Sequence, residues 1–181
     1  SPDRKTPSHR SPKETTTMSN SLDILKNALL LETRGRTFYH AVAEQAENQA
    51  VKKFFNAMAA EEAQHIEILT EQFKALQAHQ RFAPGNYPTA GSQVASQVLT
   101  AELKGQIAAA AFEAAAISAA IAMEEKAVAV YAGQQQAASD EEEKALYGWL
   151  AEWEREHLNF LVALDREIKE TVWNDNSFWP F

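Results

Sequence analysis

Apolar residues recur at three- and four-residue steps in two long stretches of each half of the chain. The first half carries them at residues 25–46 and 51–76, and the second half at residues 117–131 and 146–164. This spacing is typical of helices that bury one face, and no segment alternates as a β-strand does. The pattern predicts an all-α fold, in which four helices form two hairpins within one bundle.

The segments between these four apolar stretches predict where the helices end. Asn48 is a candidate cap between the first two helices, and Ser139 and Glu142 have the spacing of a capping box at the start of the fourth. Residues 79–96 contain two prolines and two glycines, which predicts a loop. This loop is long enough to be the crossover that joins the two hairpins.

Both ends of the chain lack the helical pattern. Residues 1–20 are rich in Ser, Thr, Pro and basic residues, which predicts disorder. Residues 173–181 form an aromatic tail, which is expected to fold back onto the bundle or onto a neighbouring subunit. The predicted bundle therefore spans residues 21–172.

Composition excludes several classes of function. The 181 residues include 17 Lys and Arg against 25 Asp and Glu, and this net charge of −8 argues against a nucleic-acid partner. No apolar run is long enough to cross a membrane. The absence of cysteine excludes disulfides and thiolate metal sites, and it suits a cytoplasmic protein. An organelle is the alternative if residues 1–17 are the remnant of a processed leader.

Charged residues interrupt the apolar stripes at positions that repeat. When the first half is shifted by 92 residues onto the second, the apolar frame matches, and so do four polar positions. These pairs are Glu32 with Glu124, Tyr39 with Tyr131, Glu62 with Glu154, and His65 with His157. The chain therefore looks like a duplicated helical hairpin.

Each half thus supplies one glutamate on its first helix and a Glu-x-x-His motif on its second. A three-residue step puts the glutamate and the histidine on one helix face, so two such halves aim four carboxylates and two imidazoles at one point. Four buried carboxylates would be very costly unless they were neutralised, and two divalent cations would do so. Carboxylate with imidazole suits iron or manganese. The predicted metal ligands are Glu32, Glu62, His65, Glu124, Glu154 and His157.

Several segments carry a resemblance to a known family: LETRGRTFY, EEAQH, FEAAAISAAIAMEE, AMEEKAVAVY and EREHL. Through them, roughly residues 22–170 resemble the rubrerythrin branch of the ferritin-like superfamily, whose di-iron bundles use this ligand set. The resemblance implies a ferritin-like four-helix bundle holding two iron ions. It also implies a role for each residue. Glu32 and Glu124 would be terminal ligands, Glu62 and Glu154 would bridge the two metals, and His65 and His157 would each bind one metal. The hydroxyls of Tyr39 and Tyr131 would form hydrogen bonds with the carboxylates.

The chain departs from the best-known rubrerythrins at two points. They carry a rubredoxin domain with four cysteines, so a chain without cysteine needs an external electron donor, either a protein or a small reductant. They also carry an extra carboxylate three residues after the ligand on the third helix, where this chain has Ala127. The second departure weakens the assignment as a peroxidase.

The expected function is that of a di-iron oxidoreductase. Its Fe(II) would be oxidised while H2O2 or O2 is reduced, with no catalytic residue beyond the metal ligands, and the family resemblance implies a homodimer. Two alternatives stay open: a protein that sequesters iron without turnover, and a bundle that binds no ligand.

Other polar and aromatic residues are expected to lie outside the site. Glu113 would be roughly 16 Å from Glu124 at 1.5 Å per helical residue, too far to bind the same metal pair. It is expected to be a polar residue of the core, with a place on an iron path or at a subunit contact as the alternatives. Trp149 and Trp153 are expected to pack against the tail or a second subunit. Four further glutamates are expected to point away from the ligand face: Glu61, Glu125, Glu152 and Glu156.

Overall fold

The computed structural model describes residues 12–88 and 111–174 and consists there of four long helices without a strand. They are α1 (Pro12–Gln45), α2 (Gln49–His79), α3 (Ala111–Ala137) and α4 (Glu141–Asn174). Helix α1 packs along α2, and α3 packs along α4. The predicted all-α, ferritin-like four-helix bundle of two hairpins is therefore confirmed.

The tight turn within each hairpin is fixed by a side-chain cap. The Asn48 side chain accepts hydrogen bonds from two backbone N–H groups in the first turn of α2, at 2.8 and 3.3 Å, as predicted. At α4 the cap is Asp140, which accepts from the backbone N–H groups of Glu142 and Glu143 at 2.9 Å. The prediction of Ser139 was one residue off, because an aspartate caps as well as a serine and adds favourable charge at a helix N-terminus.

The helices extend further at both ends than the sequence pattern predicted. Helix α1 begins at Pro12, so residues 12–20 are helical in a segment for which disorder was predicted. Proline is favoured in the first turn of a helix, where its missing N–H costs nothing, and no later proline interrupts the segment. Helix α4 runs to Asn174, which includes the first two residues of the predicted tail. Residues 1–11 and 175–181 lie outside the described part of the chain.

The crossover begins with a backbone reversal that is bonded to α2. Gln80 adopts the left-handed conformation (φ 61°), and its N–H donates to the carbonyl of Leu76 at 2.9 Å. The Gln72 side chain then accepts from the N–H of Ala83 at 3.0 Å and donates to the carbonyl of the same residue at 3.1 Å. The remainder of the predicted crossover, residues 89–110, lies outside the described residues.

The buried apolar side chains form two separate clusters. One contains Phe54, Phe55 and Ile117, and the other contains Leu25 and Leu146. On each helix, a glutamate among the candidate ligands lies in sequence between the residues of one cluster and those of the other. The apolar core thus encloses a polar layer from both ends. Within the described residues, no helix is long and apolar enough to cross a membrane.

Candidate metal centre

The structure brings all six predicted ligand residues together in the polar layer. None of them is more than 3% exposed. Their side chains form two groups, in each of which the potential ligand atoms lie within 4.8 Å of one another. One group is Glu32, Glu62, His65 and Glu154, and the other is Glu62, Glu124, Glu154 and His157. Since Glu62 and Glu154 belong to both groups, they are arranged as bridging carboxylates must be.

Both imidazoles present the same nitrogen to the carboxylates. Nδ1 of His65 lies 3.0 Å from Glu32 and 2.9 Å from Glu154. Nδ1 of His157 lies 3.3 Å from Glu154 and 3.6 Å from Glu124. Nδ1 is therefore the atom through which either histidine could bind a metal.

Unsatisfied polar atoms in this layer fit a cation. Although Nδ1 of His65 lies 2.9 Å from Glu154, no hydrogen bond of suitable geometry reaches either carboxylate oxygen of Glu154 or Nδ1 of His157 among the described residues. Such atoms are rare and costly in proteins because they have lost their hydration. A divalent cation would satisfy all three atoms, and oxygen with imidazole nitrogen is a donor set that suits iron or manganese.

Two tyrosines connect the hairpins through hydrogen bonds to Glu124 and Glu32. The Tyr39 hydroxyl donates to Glu124, and the Tyr131 hydroxyl donates to Glu32. Both rings are fully buried. Each tyrosine therefore orients a glutamate that belongs to the opposite hairpin. At Glu32 the hydroxyl of Tyr131 bonds Oε1, while Oε2 lies 3.0 Å from Nδ1 of His65.

The protonation of the layer reflects its excess of negative charge. Burial, reinforced by the charge of Glu154, raises the pKa of Glu32 and of Glu124 well above the ordinary value. Burial would also raise the pKa of Glu154, but the adjacent His65 and His157 hold it well below the ordinary value. Burial disfavours the charged imidazoles, yet the surrounding carboxylates raise the pKa of His65 and of His157. Protons thus supply positive charge that bound metal ions would otherwise supply.

Glu61 was missed in the sequence pattern. It was expected to point away from the site, but it is 3% exposed and meets α4. Its Oε2 accepts hydrogen bonds from Nε2 of His157 at 2.5 Å and from Nε1 of Trp153 at 3.1 Å. The expectation for Glu125 and Glu152 is confirmed, since both are exposed, and Glu156 is half-buried. The sequence did offer one indication that Glu61 is buried, because it comes directly before the candidate ligand Glu62 on α2.

The two tryptophans pack within the chain against the site. The rings of Trp149 and Trp153 each stand edge-on to His65, with ring centres 5.4 Å apart. Nε1 of Trp149 also donates to the carbonyl of Pro88 at 2.7 Å. Contacts with the predicted tail lie outside the described residues. Glu113 is buried, as expected, and belongs to neither ligand group.

A cavity of about 210 Å³ leads to the carboxylates between α1 and α3. The lining residues are five pairs, each 92 positions apart: Leu31 and Met123, Glu32 and Glu124, Arg34 and Lys126, Gly35 and Ala127, and Glu62 and Glu154. Arg34 and Lys126 are exposed. A Cβ on Gly35 would lie 3.6 Å from Cδ of Glu62, so side chains larger than a methyl group would occupy the space beside this carboxylate.

One of three comparisons with known proteins identifies the family of the chain. No curated protein and no solved structure matches the chain at a significant level. The family model described as Rubrerythrin matches residues 23–165, which is most of the chain and includes all six candidate ligands. The chain therefore belongs to the rubrerythrin family.

Proposed function

We propose that the protein is a di-iron oxidoreductase that reduces H2O2 or O2 as Fe(II) is oxidised. The observation that carries this proposal is the sharing of Glu62 and Glu154 between two ligand groups at the end of an open cavity. Shared carboxylates would hold two metal ions close together, and the cavity would let a small oxidant reach both.

Each residue of the polar layer has one task in this proposal. Glu32 and His65 would complete one metal position, and Glu124 and His157 the other. Two divalent cations would balance the charge of four carboxylates, which agrees with the unsatisfied oxygens of Glu154. Tyr39 would hold the Glu124 carboxylate through its hydroxyl, so that the ligand keeps one orientation when the metal charge changes.

The bound iron ions would supply the two electrons that the oxidant takes up. With two protons, these electrons convert H2O2 to two molecules of water, or O2 to one molecule of H2O2. The electrons that restore Fe(II) would come from an external donor protein or a small reductant, since the 181 residues contain no cysteine for a rubredoxin-type iron site. The apolar clusters on both sides of the layer would limit water to the cavity.

The cavity favours a small oxidant over an organic substrate. Its volume is about 210 Å³, whereas pockets for drug-sized ligands run from roughly 300 to 1,000 Å³. The small side chains at Gly35 and Ala127 leave space directly beside the bridging carboxylates. Arg34 and Lys126 add positive charge near the entrance of a chain that is acidic overall.

Iron loading followed by rapid mixing with an oxidant tests the proposal. Anaerobically loaded protein should hold about two irons per chain and be oxidised by H2O2 or O2 at clearly different rates. In Ala127→Leu the iron content should stay the same while oxidation slows, because the added side chain fills the cavity. Ala122→Leu is the matched control, since Ala122 is exposed on the same helix. Failure to bind stoichiometric iron would overturn the proposal.

Iron sequestration without turnover is the second candidate. It is favoured by Ala127, which stands where the best-known rubrerythrins carry an additional carboxylate linked to movement of the metal. With excess reductant and H2O2, an oxidoreductase consumes many equivalents of peroxide per chain. A protein that only sequesters iron consumes about one equivalent per di-iron site and then stops.

A further inference from the structure

One carboxylate of the polar layer is bonded to a histidine rather than directed at the centre. Oε2 of Glu61 accepts hydrogen bonds from Nε2 of His157 and from Nε1 of Trp153. All three side chains are buried. The indole N–H can only donate, so Trp153 holds the Glu61 carboxylate in place and leaves it able to accept the imidazole proton.

This contact determines which nitrogen of His157 can bind metal. Because Nε2 donates its proton to Glu61, Nδ1 is the nitrogen left for a metal ion, and it faces the carboxylates at 3.3 Å from Glu154. A carboxylate that accepts the second N–H of a histidine ligand fixes the tautomer and the orientation of the ring and makes the ring a stronger donor.

His65 has no such support. Its Nε2 is buried without a hydrogen-bond partner among the described residues. The position equivalent to Glu61 in the second half, 92 residues later, is Trp153, and its ring stands edge-on to His65 with Trp149 alongside. Two otherwise matching ligand groups therefore differ in one respect: a carboxylate supports His157, and an aromatic surface surrounds His65.

We infer that Glu61 is a positioning residue that makes the two metal positions unequal, so that the position at His157 and Glu124 fills before the position at His65 and Glu32. The inference rests on the proposed di-metal site. It follows from two additive effects. The supported imidazole is the better donor, and the carboxylate of Glu61 adds negative charge on that side only.

Anaerobic titration of the full chain with Co(II), followed by calorimetry and visible absorption, measures the two positions separately. The wild-type protein should bind two ions in two distinct steps. Glu61→Gln keeps the size of the side chain but removes its charge, and it should weaken the first step by roughly 10- to 100-fold with little change in the second. Glu152→Gln is the matched control, because Glu152 is exposed on α4.

A spectroscopic measurement on the wild-type protein keeps the inference testable if Glu61→Gln does not fold. With one equivalent of 57Fe(II), Mössbauer spectra should show a single dominant doublet, and a second doublet with different parameters should appear with the second equivalent. Two equal binding steps, or an equal effect of Glu61→Gln on both steps, would overturn the inference and leave the proposed function intact. Absence of stoichiometric binding of either metal would overturn both.

Discussion

The Tyr39 hydroxyl donates a hydrogen bond to Glu124, and the two residues belong to different hairpins. Tyr131 makes the reciprocal bond to Glu32. These bonds join the hairpins through groups that belong to the candidate metal centre, as does the hydrogen bond from His157 to Glu61. Occupation of the centre and closure of the two hairpins onto each other should therefore be coupled.

Removal of one of these hydrogen bonds should lower both the stability of the fold and the affinity of the centre for metal. Tyr39→Phe leaves the Glu124 carboxyl buried without its donor, which should cost about 1–3 kcal/mol in the free energy of unfolding. The affinity for metal should fall as well, because Glu124 is no longer held in one orientation. Urea unfolding of the metal-free protein and metal titration measure the two effects.

Tyr147→Phe is the matched control for this experiment. Tyr147 is also fully buried, but its hydroxyl has no hydrogen-bond partner among the described residues. Loss of that hydroxyl removes an unsatisfied polar atom, so stability should be unchanged or slightly increased. Equal destabilisation by Tyr39→Phe and Tyr147→Phe would show that the bond to Glu124 contributes nothing.

Metal stoichiometry should distinguish shared ligands from unshared ones. Glu154 belongs to both ligand groups, so Glu154→Ala should prevent retention of either ion. Glu32 belongs to one group, so Glu32→Ala should leave about one ion per chain at the other position. Metal analysis after loading and desalting gives both numbers. If the two variants retain the same amount, Glu154 is not a bridging ligand.

The six candidate ligands could be picked out because their spacing repeats within the sequence. Glutamates and histidines at matching positions in two apolar stripes leave few interpretations, and the structure brings all six together. The helix caps were nearly as easy to predict from the sequence. Asn48 was predicted correctly and Asp140 was missed by one residue, since several residue types near a helix start can cap it.

The role of Glu61 could not be read from the same repeat. Its counterpart in the second half is Trp153, so the comparison of the halves predicted that Glu61 points away from the site. In the structure, Nε1 of Trp153 donates a hydrogen bond to Glu61 at 3.1 Å. That contact depends on how α2 and α4 are rotated toward each other, which the periodicity of a single helix does not specify. The cavity beside Gly35 likewise depends on the separation of α1 and α3.

The cap of α4 should contribute measurable stability. Asp140→Ala removes the acceptor of two backbone N–H groups and should cost about 1 kcal/mol in the free energy of unfolding. Ser139→Ala should change the same quantity by less than roughly 0.5 kcal/mol, as is usual for surface substitutions. Chemical denaturation of both variants compares them directly. A larger effect at Ser139 would restore the capping box predicted from the sequence.

The stability of the metal-free protein should fall as pH rises above neutrality. The folded-state pKa values of His65 and His157 are raised above the ordinary 6.5, and those of Glu32 and Glu124 are raised above 4.5. A group with a raised folded pKa contributes stability that is complete below its unfolded value and is lost as pH rises through the folded value. Glu154 has the opposite sign, because its lowered pKa gives a contribution that is present above 4.5 and is lost in acid.

Bound metal should reverse this dependence, because it replaces protons on the same atoms. Metal affinity should rise with pH, since fewer protons compete for the ligands. The difference in melting temperature between metal-loaded and metal-free protein should therefore widen between about pH 6 and pH 9. Thermal unfolding followed by circular dichroism at a series of pH values measures this difference. Parallel curves for the two forms would mean that metal binds elsewhere, because ions outside the polar layer would not displace these protons.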